Sequence, residues 1–258
     1  MFDGGLATCG PIGNFREQID YFGDFRVVFD HFFPDVLPGS AVAIPDEVID
    51  NWEGVYVPLI QDSLRSDPDA TEQLLGVTGA VTDCRNPDSV EATVVGLLWY
   101  NVHATNDAIA KLGGQPFDNM TRSYKGLVRP VGLNRDVERI SADPEALEQI
   151  ELHCQTSGDL DRPVVTLHTI WDPIVPYWHE RLYRRKVFGN GVGSFPAEFT
   201  ARRYGHCNFT VNELIEAFAA LVWEVRGEKL VGVDAILPHG RSGDEFLKVA
   251  RPYSDARL

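Results

Sequence analysis

The spacing of apolar residues changes along this chain, and the changes divide it. Phe2-Asp3-Gly4-Gly5-Leu6-Ala7-Thr8-Cys9 reads as a short buried strand, stopped by Cys9-Gly10-Pro11. From residue 12 to 158 the spacing turns to threes and fours, which predicts a long, mostly helical stretch. Phe22, Phe25, Phe29 and Phe32/Phe33 mark the inner face of its first helix. Residues 45–65 and 68–80 are each entered through a Pro and an acidic residue and read as helices. Val90, Val94, Leu97 and Leu98 continue the pattern into Trp99 and Tyr100. Residues 113–135, rich in Gly, Asn and Arg, read as a long loop, and Asp143-Pro144-Glu145 opens a helix toward Cys154.

After Gly158 the pattern changes again. Pro163-Val164-Val165-Thr166-Leu167-His168 is a β-branched apolar run, as expected of a strand buried on both faces. The loop Thr169-Ile170-Trp171-Asp172-Pro173-Ile174-Val175 leads to a helix expected to begin at Pro176. A Gly-rich turn precedes a second strand, Phe199–Tyr204, and a loop, Gly205-His206-Cys207-Asn208-Phe209. Thr210 and Glu213 form a capping-box signature for a last helix, whose inner face is expected to carry Leu214, Phe218, Leu221, Val222 and Val225. Strand, loop with Asp, helix, strand, loop with His, helix: the alternation predicts an α/β fold with a parallel sheet. Residues 2–9, 163–168 and 199–204 are its expected strands, neighbours in that spatial order.

Composition narrows the function classes. Thirty-eight acidic against 23 basic residues give a formal charge of -15, which disfavours a phosphate backbone as partner. No apolar run is long enough to span a membrane. The four cysteines form neither a disulfide scaffold nor a C-x-x-C pair, so no metal site is expected.

The chemistry concentrates at two loops. In a parallel sheet, Asp172 and His206 would both emerge at the carboxyl edge, where sites of open α/β sheets lie. An Asp there can accept the Nδ1 proton of the His, fix its tautomer and stabilise the imidazolium, leaving Nε2 to take a proton from a hydroxyl. Other residues invite plainer readings. His168 reads as a strand-end structural residue. His179-Glu180 is followed by Tyr183 where a zinc-protease motif needs a second His. Gly189, Gly191 and Gly193 are turn residues, and Arg184, Arg185, Arg202 and Arg203 a solvated face. The Phe22–Phe33 row is cap core before it is a substrate wall.

Pro163-Val164-Val165-Thr166-Leu167-His168-Thr169 with Asp172-Pro173-Ile174-Val175-Pro176 resembles the acid-bearing segment of serine α/β-hydrolases. Gly205-His206-Cys207-Asn208-Phe209-Thr210 resembles the histidine segment of the same superfamily, in the family order of acid before histidine. The resemblance implies a partial α/β-hydrolase fold: a first core strand within 1–11, a helical cap insertion over 12–158, the core with its acid and histidine loops over 159–227, and a carboxyl-terminal extension over 228–258. It implies Asp172 and His206 as catalytic residues, a small-molecule ester or peptide substrate, and neither cofactor nor metal. Cys207 beside His206 is similar to the His-Cys pair of tannase-like esterases, whose disulfide partner lies beside the nucleophile.

The family's nucleophile motif, G-x-S-x-G, does not occur in the sequence. Ser40, Ser194 and Ser242 lack the motif and its strand–turn–helix setting, and Cys9 falls one strand beyond the family's nucleophile position. The expectation is therefore the carboxyl-terminal portion of a longer hydrolase, inactive alone. The alternative is a hydrolase-derived protein that uses its cap for binding or assembly.

Overall fold

A computed structural model describes residues 2–126, 132–191 and 197–227. Ser194, Gly193, Ser242 and the expected extension over 228–258 lie outside the described residues. The chain divides into two compact units, Met1–Asn14 with Thr156–Leu258, and Phe15–Gln155.

The first unit is built on three parallel strands, β1 (Gly5–Thr8), β2 (Val164–Trp171) and β3 (Ala197–Tyr204), in the order β1-β2-β3. This is the α/β class and the strand order that the apolar runs predict. The register places Leu6 beside Val165 and Leu167 beside Phe199. β2 is longer than the sequence suggests. It runs through Thr169 and Ile170 to Trp171, because β3 keeps pairing with it across an irregularity between Thr169 and Trp171.

Alternation along β2 sorts its side chains to two faces. Val165 and Leu167 pack with Ala217, Ala220 and Leu221 of α9 (Val211–Arg226), while Leu6, Phe199 and Val225 close the edges. Each fully buried Val or Leu contributes on the order of 1.5–3 kcal/mol. The intervening Thr166 and His168 instead bond to Glu180 of α8 (Trp178–Gly189). The start of α9 is held by the expected capping box, Thr210 with Glu213.

The inner face of α9 differs from expectation. Leu214 and Phe218 are 38% and 49% exposed, and the buried stripe runs through Ala217, Ala220 and Leu221. The helix meets the sheet through its small residues, which let it lie close on Val165 and Leu167, and the bulkier side chains flank that contact.

The second unit is helical: α1 (Phe15–Phe32), α2 (Asp46–Asp50), α3 (Val57–Ser66), α4 (Pro68–Thr78), α5 (Asp88–Leu112), α6 (Leu133–Asp136) and α7 (Pro144–His153), with a π-helical turn at Trp52–Tyr56 joining α2 to α3. α1 packs on α4 and α5. Phe25, Phe29 and Phe33 are buried as the aromatic spacing predicts, whereas Phe22 and Phe32 are half-buried. A fully buried Arg26 bonds to Asp30 at 2.8 Å and to the Leu37 carbonyl at 3.1 Å. Phe22 stacks on Tyr100, and both line an open cleft within this unit.

Candidate active site

Asp172 follows the last residue of β2 and is buried. Its Oδ1 accepts from the amides of Ile174 and Val175 at 2.9 and 3.0 Å, the turn that Asp-Pro after a strand favours. That leaves Oδ2 facing the next loop, where it accepts from His206 Nδ1 at 2.8 Å. The two residues expected to act together are thus in direct contact at the carboxyl edge of the sheet.

His206 sits on a loop fastened at several points. The Gly205 amide donates to the Trp171 carbonyl at 3.1 Å, and the Thr169 hydroxyl donates to the Gly205 carbonyl at 2.6 Å. Arg203 binds the Asn208 carbonyl and forms a two-pronged pair with Glu213. Gly205 has a φ of 111°, a conformation that side chains rarely adopt. The His206 side chain keeps 31% of its surface exposed while Asp172 keeps none. A carboxylate on Nδ1 favours the tautomer with that nitrogen protonated, in which Nε2 keeps its lone pair as a general base requires; Cys207 Sγ lies 3.8 Å from Nε2.

Beneath this pair lies a second buried network. His168 donates from Nε2 to the Val175 carbonyl at 2.8 Å, and its Nδ1 meets Glu180 at 3.2 Å. A carbonyl and a carboxylate as partners favour a proton on each ring nitrogen. Burial works against that charge, but the bonds to Glu180 and Val175 outweigh it and hold the pKa of His168 above the ordinary imidazole value. Its Nε2 also lies 3.7 Å from Asp172 Oδ2. His168 is therefore structural, as expected, but it lies within the strand and supports the turn that positions Asp172.

His179 has the opposite role. Its Nδ1 accepts from the amides of Gly13 and Asn14 at 3.1 and 3.3 Å, and its ring stacks on Trp178 at 3.9 Å. Burial and the charge of His168 push its pKa down to about 3. Gly13 permits this approach, since a Cβ there would meet the His179 carbonyl oxygen at 2.5 Å.

No family model, curated protein or solved structure matches the chain.

Ser40 belongs to the helical unit, in a bridge with Ala43. Arg184 pairs with Glu198, to which Tyr177 also donates, and Arg203 pairs with Glu213, while Arg185 and Arg202 are exposed. No described helix is long and apolar enough to cross a membrane.

Two cysteines converge on the site, Cys207 beside His206 and Cys9 from β1. Cys207 Sγ lies 3.8 Å from His206 Nε2, and the thiols of Cys207 and of Cys9, which follows β1, lie with a ring nitrogen of His206 within 4.8 Å of one another. The usable signal was positional: Cys9 ends a strand predicted beside β2, on the edge where the His206 loop emerges. Burial pushes the Cys9 thiol up to about 12, so it stays protonated and is poorly suited to attack a carbonyl. Cys9, His168 and Asp172 also lie within ligand distance of one another, but both nitrogens of His168 are already engaged.

Proposed function

We propose that the sheet-bearing unit is the acid–base half of a serine α/β-hydrolase with a helical cap, cleaving an ester or a peptide bond by acyl transfer. The observation that carries the reading is the 2.8 Å contact between His206 Nδ1 and Asp172 Oδ2 across adjacent parallel strands, acid before histidine. In this reading His206 Nε2 takes the proton of a seryl hydroxyl as that oxygen bonds to the substrate carbonyl carbon. Asp172 stabilises the imidazolium, which then gives the proton to the departing alcohol or amine. Water repeats the cycle to release the acid. The serine belongs to a segment outside this sequence, since G-x-S-x-G is lacking from it.

The test compares the 258-residue chain with a longer protein that includes the reading frame preceding the Met1 codon. The longer protein is expected to carry G-x-S-x-G, to label with a fluorophosphonate at that serine, and to turn over p-nitrophenyl esters. Asp172→Asn should lower its kcat by about 10⁴-fold and His206→Ala by about 10⁶-fold, and the 258-residue chain should neither label nor turn over. Turnover by the short chain that needs His206 would put the nucleophile within it. Turnover by the longer protein that survives both substitutions would remove the acid–base reading altogether.

A further inference from the structure

His206 Nε2 faces sulfur. Cys9 closes β1, Cys207 follows His206, and both adopt left-handed backbone conformations, with φ of 46° and 48°. Their thiols and the His206 ring nitrogen lie within 4.8 Å of one another, with Cys207 Sγ 3.8 Å from Nε2. Zinc bonded to thiolates at about 2.3 Å and imidazole at about 2.0–2.1 Å needs its ligand atoms roughly 3.5–3.8 Å apart, so small side-chain movements complete such a set.

The partner of the other ring nitrogen is as informative. A metal-ligating histidine commonly donates its remaining N–H to a carboxylate, which orients the ring and raises its basicity. Asp172 does this to His206 Nδ1 at 2.8 Å, and its own position is set by two backbone amides. Entry is open from one side: Cys207 and His206 reach solvent, and Cys9 forms the floor at 2% exposure.

We propose that Cys9, His206 and Cys207 form a three-ligand site for a thiophilic divalent cation, zinc foremost, with the fourth position open to water or an anion. Two thiolates and one imidazole are soft donors that discriminate against magnesium and calcium. Binding displaces one proton from each thiol to solvent. It also occupies the Nε2 lone pair, so a bound metal silences His206 as a base. The inference goes beyond the hydrolase reading and does not depend on it, because the three ligand atoms are present whether or not a serine is presented to them.

The reduced, chelator-treated 258-residue chain is titrated anaerobically with cobalt(II), then with zinc. One cobalt per chain is expected, with thiolate-to-cobalt charge-transfer absorption that zinc abolishes. Cys207→Ser, at an exposed position, should roughly halve that absorption, as two thiolates become one. Cys9→Ser should do the same. Asp172→Asn should weaken binding about 10–100-fold with the absorption shape retained, and Cys84→Ser with Cys154→Ser should change nothing. Lack of charge-transfer absorption, absorption that survives both Cys9→Ser and Cys207→Ser, or recovery of a Cys9–Cys207 disulfide from the metal-treated chain would overturn the site. None of these readouts involves turnover, so they fail or succeed separately from the hydrolase test.

Discussion

Acid should destabilise the sheet-bearing unit through a single buried imidazole. Folded His179 has a pKa of about 3, whereas an unfolded histidine titrates near about 6.5. A base whose folded pKa is depressed contributes stability that is complete above the unfolded value and lost as pH falls toward the folded one. At pH 5 the unfolded chain has gained about one and a half pH units of protonation free energy that the folded chain has not. At about 1.36 kcal/mol per unit the loss between pH 7 and pH 5 is about 2 kcal/mol. Other groups titrate in this window, so the quantity to measure is the difference between the native chain and His179→Asn. An asparagine Oδ1 can replace Nδ1 as acceptor for the Gly13 and Asn14 amides without titrating. Urea unfolding at both pH values, followed by tryptophan fluorescence, should show the stability advantage of the native chain over the variant shrinking by about 2 kcal/mol on acidification. A difference that changes by less than about 0.5 kcal/mol would mean that His179 binds its proton equally in both states, and the assigned role of its Nδ1 would be wrong.

Two further predictions concern the helical unit. Gly23→Ala should destabilise it by about 1–3 kcal/mol in thermal or chemical unfolding, despite the higher helix propensity of alanine, because a Cβ there meets the Phe117 ring at 2.4 Å; a neutral or stabilising result would contradict that contact. Arg26→Met should cost about 3–5 kcal/mol by leaving the Asp30 carboxylate without its partner, and Arg26→Met with Asp30→Asn should recover part of the loss. Burial already pushes the Asp30 pKa up to about 6 against the pull of Arg26.

What could be read in the sequence was whatever rests on local chemistry. β1 and β2 are apolar runs bounded by Gly and Pro, while β3, which carries Glu198, Arg202 and Arg203, is marked by its place between a Gly-rich turn and Gly205. Asp172 and His206 were legible because each follows a strand directly and parallel strands end on one edge. Side-chain meetings that depend on register and helix rotation were not legible. The inner face of α9 was misjudged because apolar spacing counts Leu214 and Phe218 alike with Ala217 and Ala220, while close approach to the sheet selects the small residues. The described residues from 113 to 126 are irregular, as expected, whereas α6 opens at Leu133 within the expected loop, and nothing local shows that the stretch is pinned. Buried Asn119 binds Tyr124, the Glu138 carbonyl and the Ile140 amide, and Arg122 reaches Asp20 at 2.9 Å. The partners of His168 and His179 were likewise hidden, since a buried histidine's role depends on which groups face its two nitrogens.

Acid–base catalysis by this pair requires that Asp172 hold His206 with Nδ1 protonated and Nε2 unprotonated. The direct measurement is the tautomer of His206 in the chelator-treated, reduced 258-residue chain, read from its ring ¹⁵N shifts and ¹⁵N–¹H couplings at pH 8, where an ordinary imidazole is neutral. The expected result is an Nδ1–H tautomer with its proton shifted downfield by the carboxylate, and loss of that preference in Asp172→Asn. A ring protonated at Nε2, or a mixed tautomer that Asp172→Asn leaves unchanged, would contradict it.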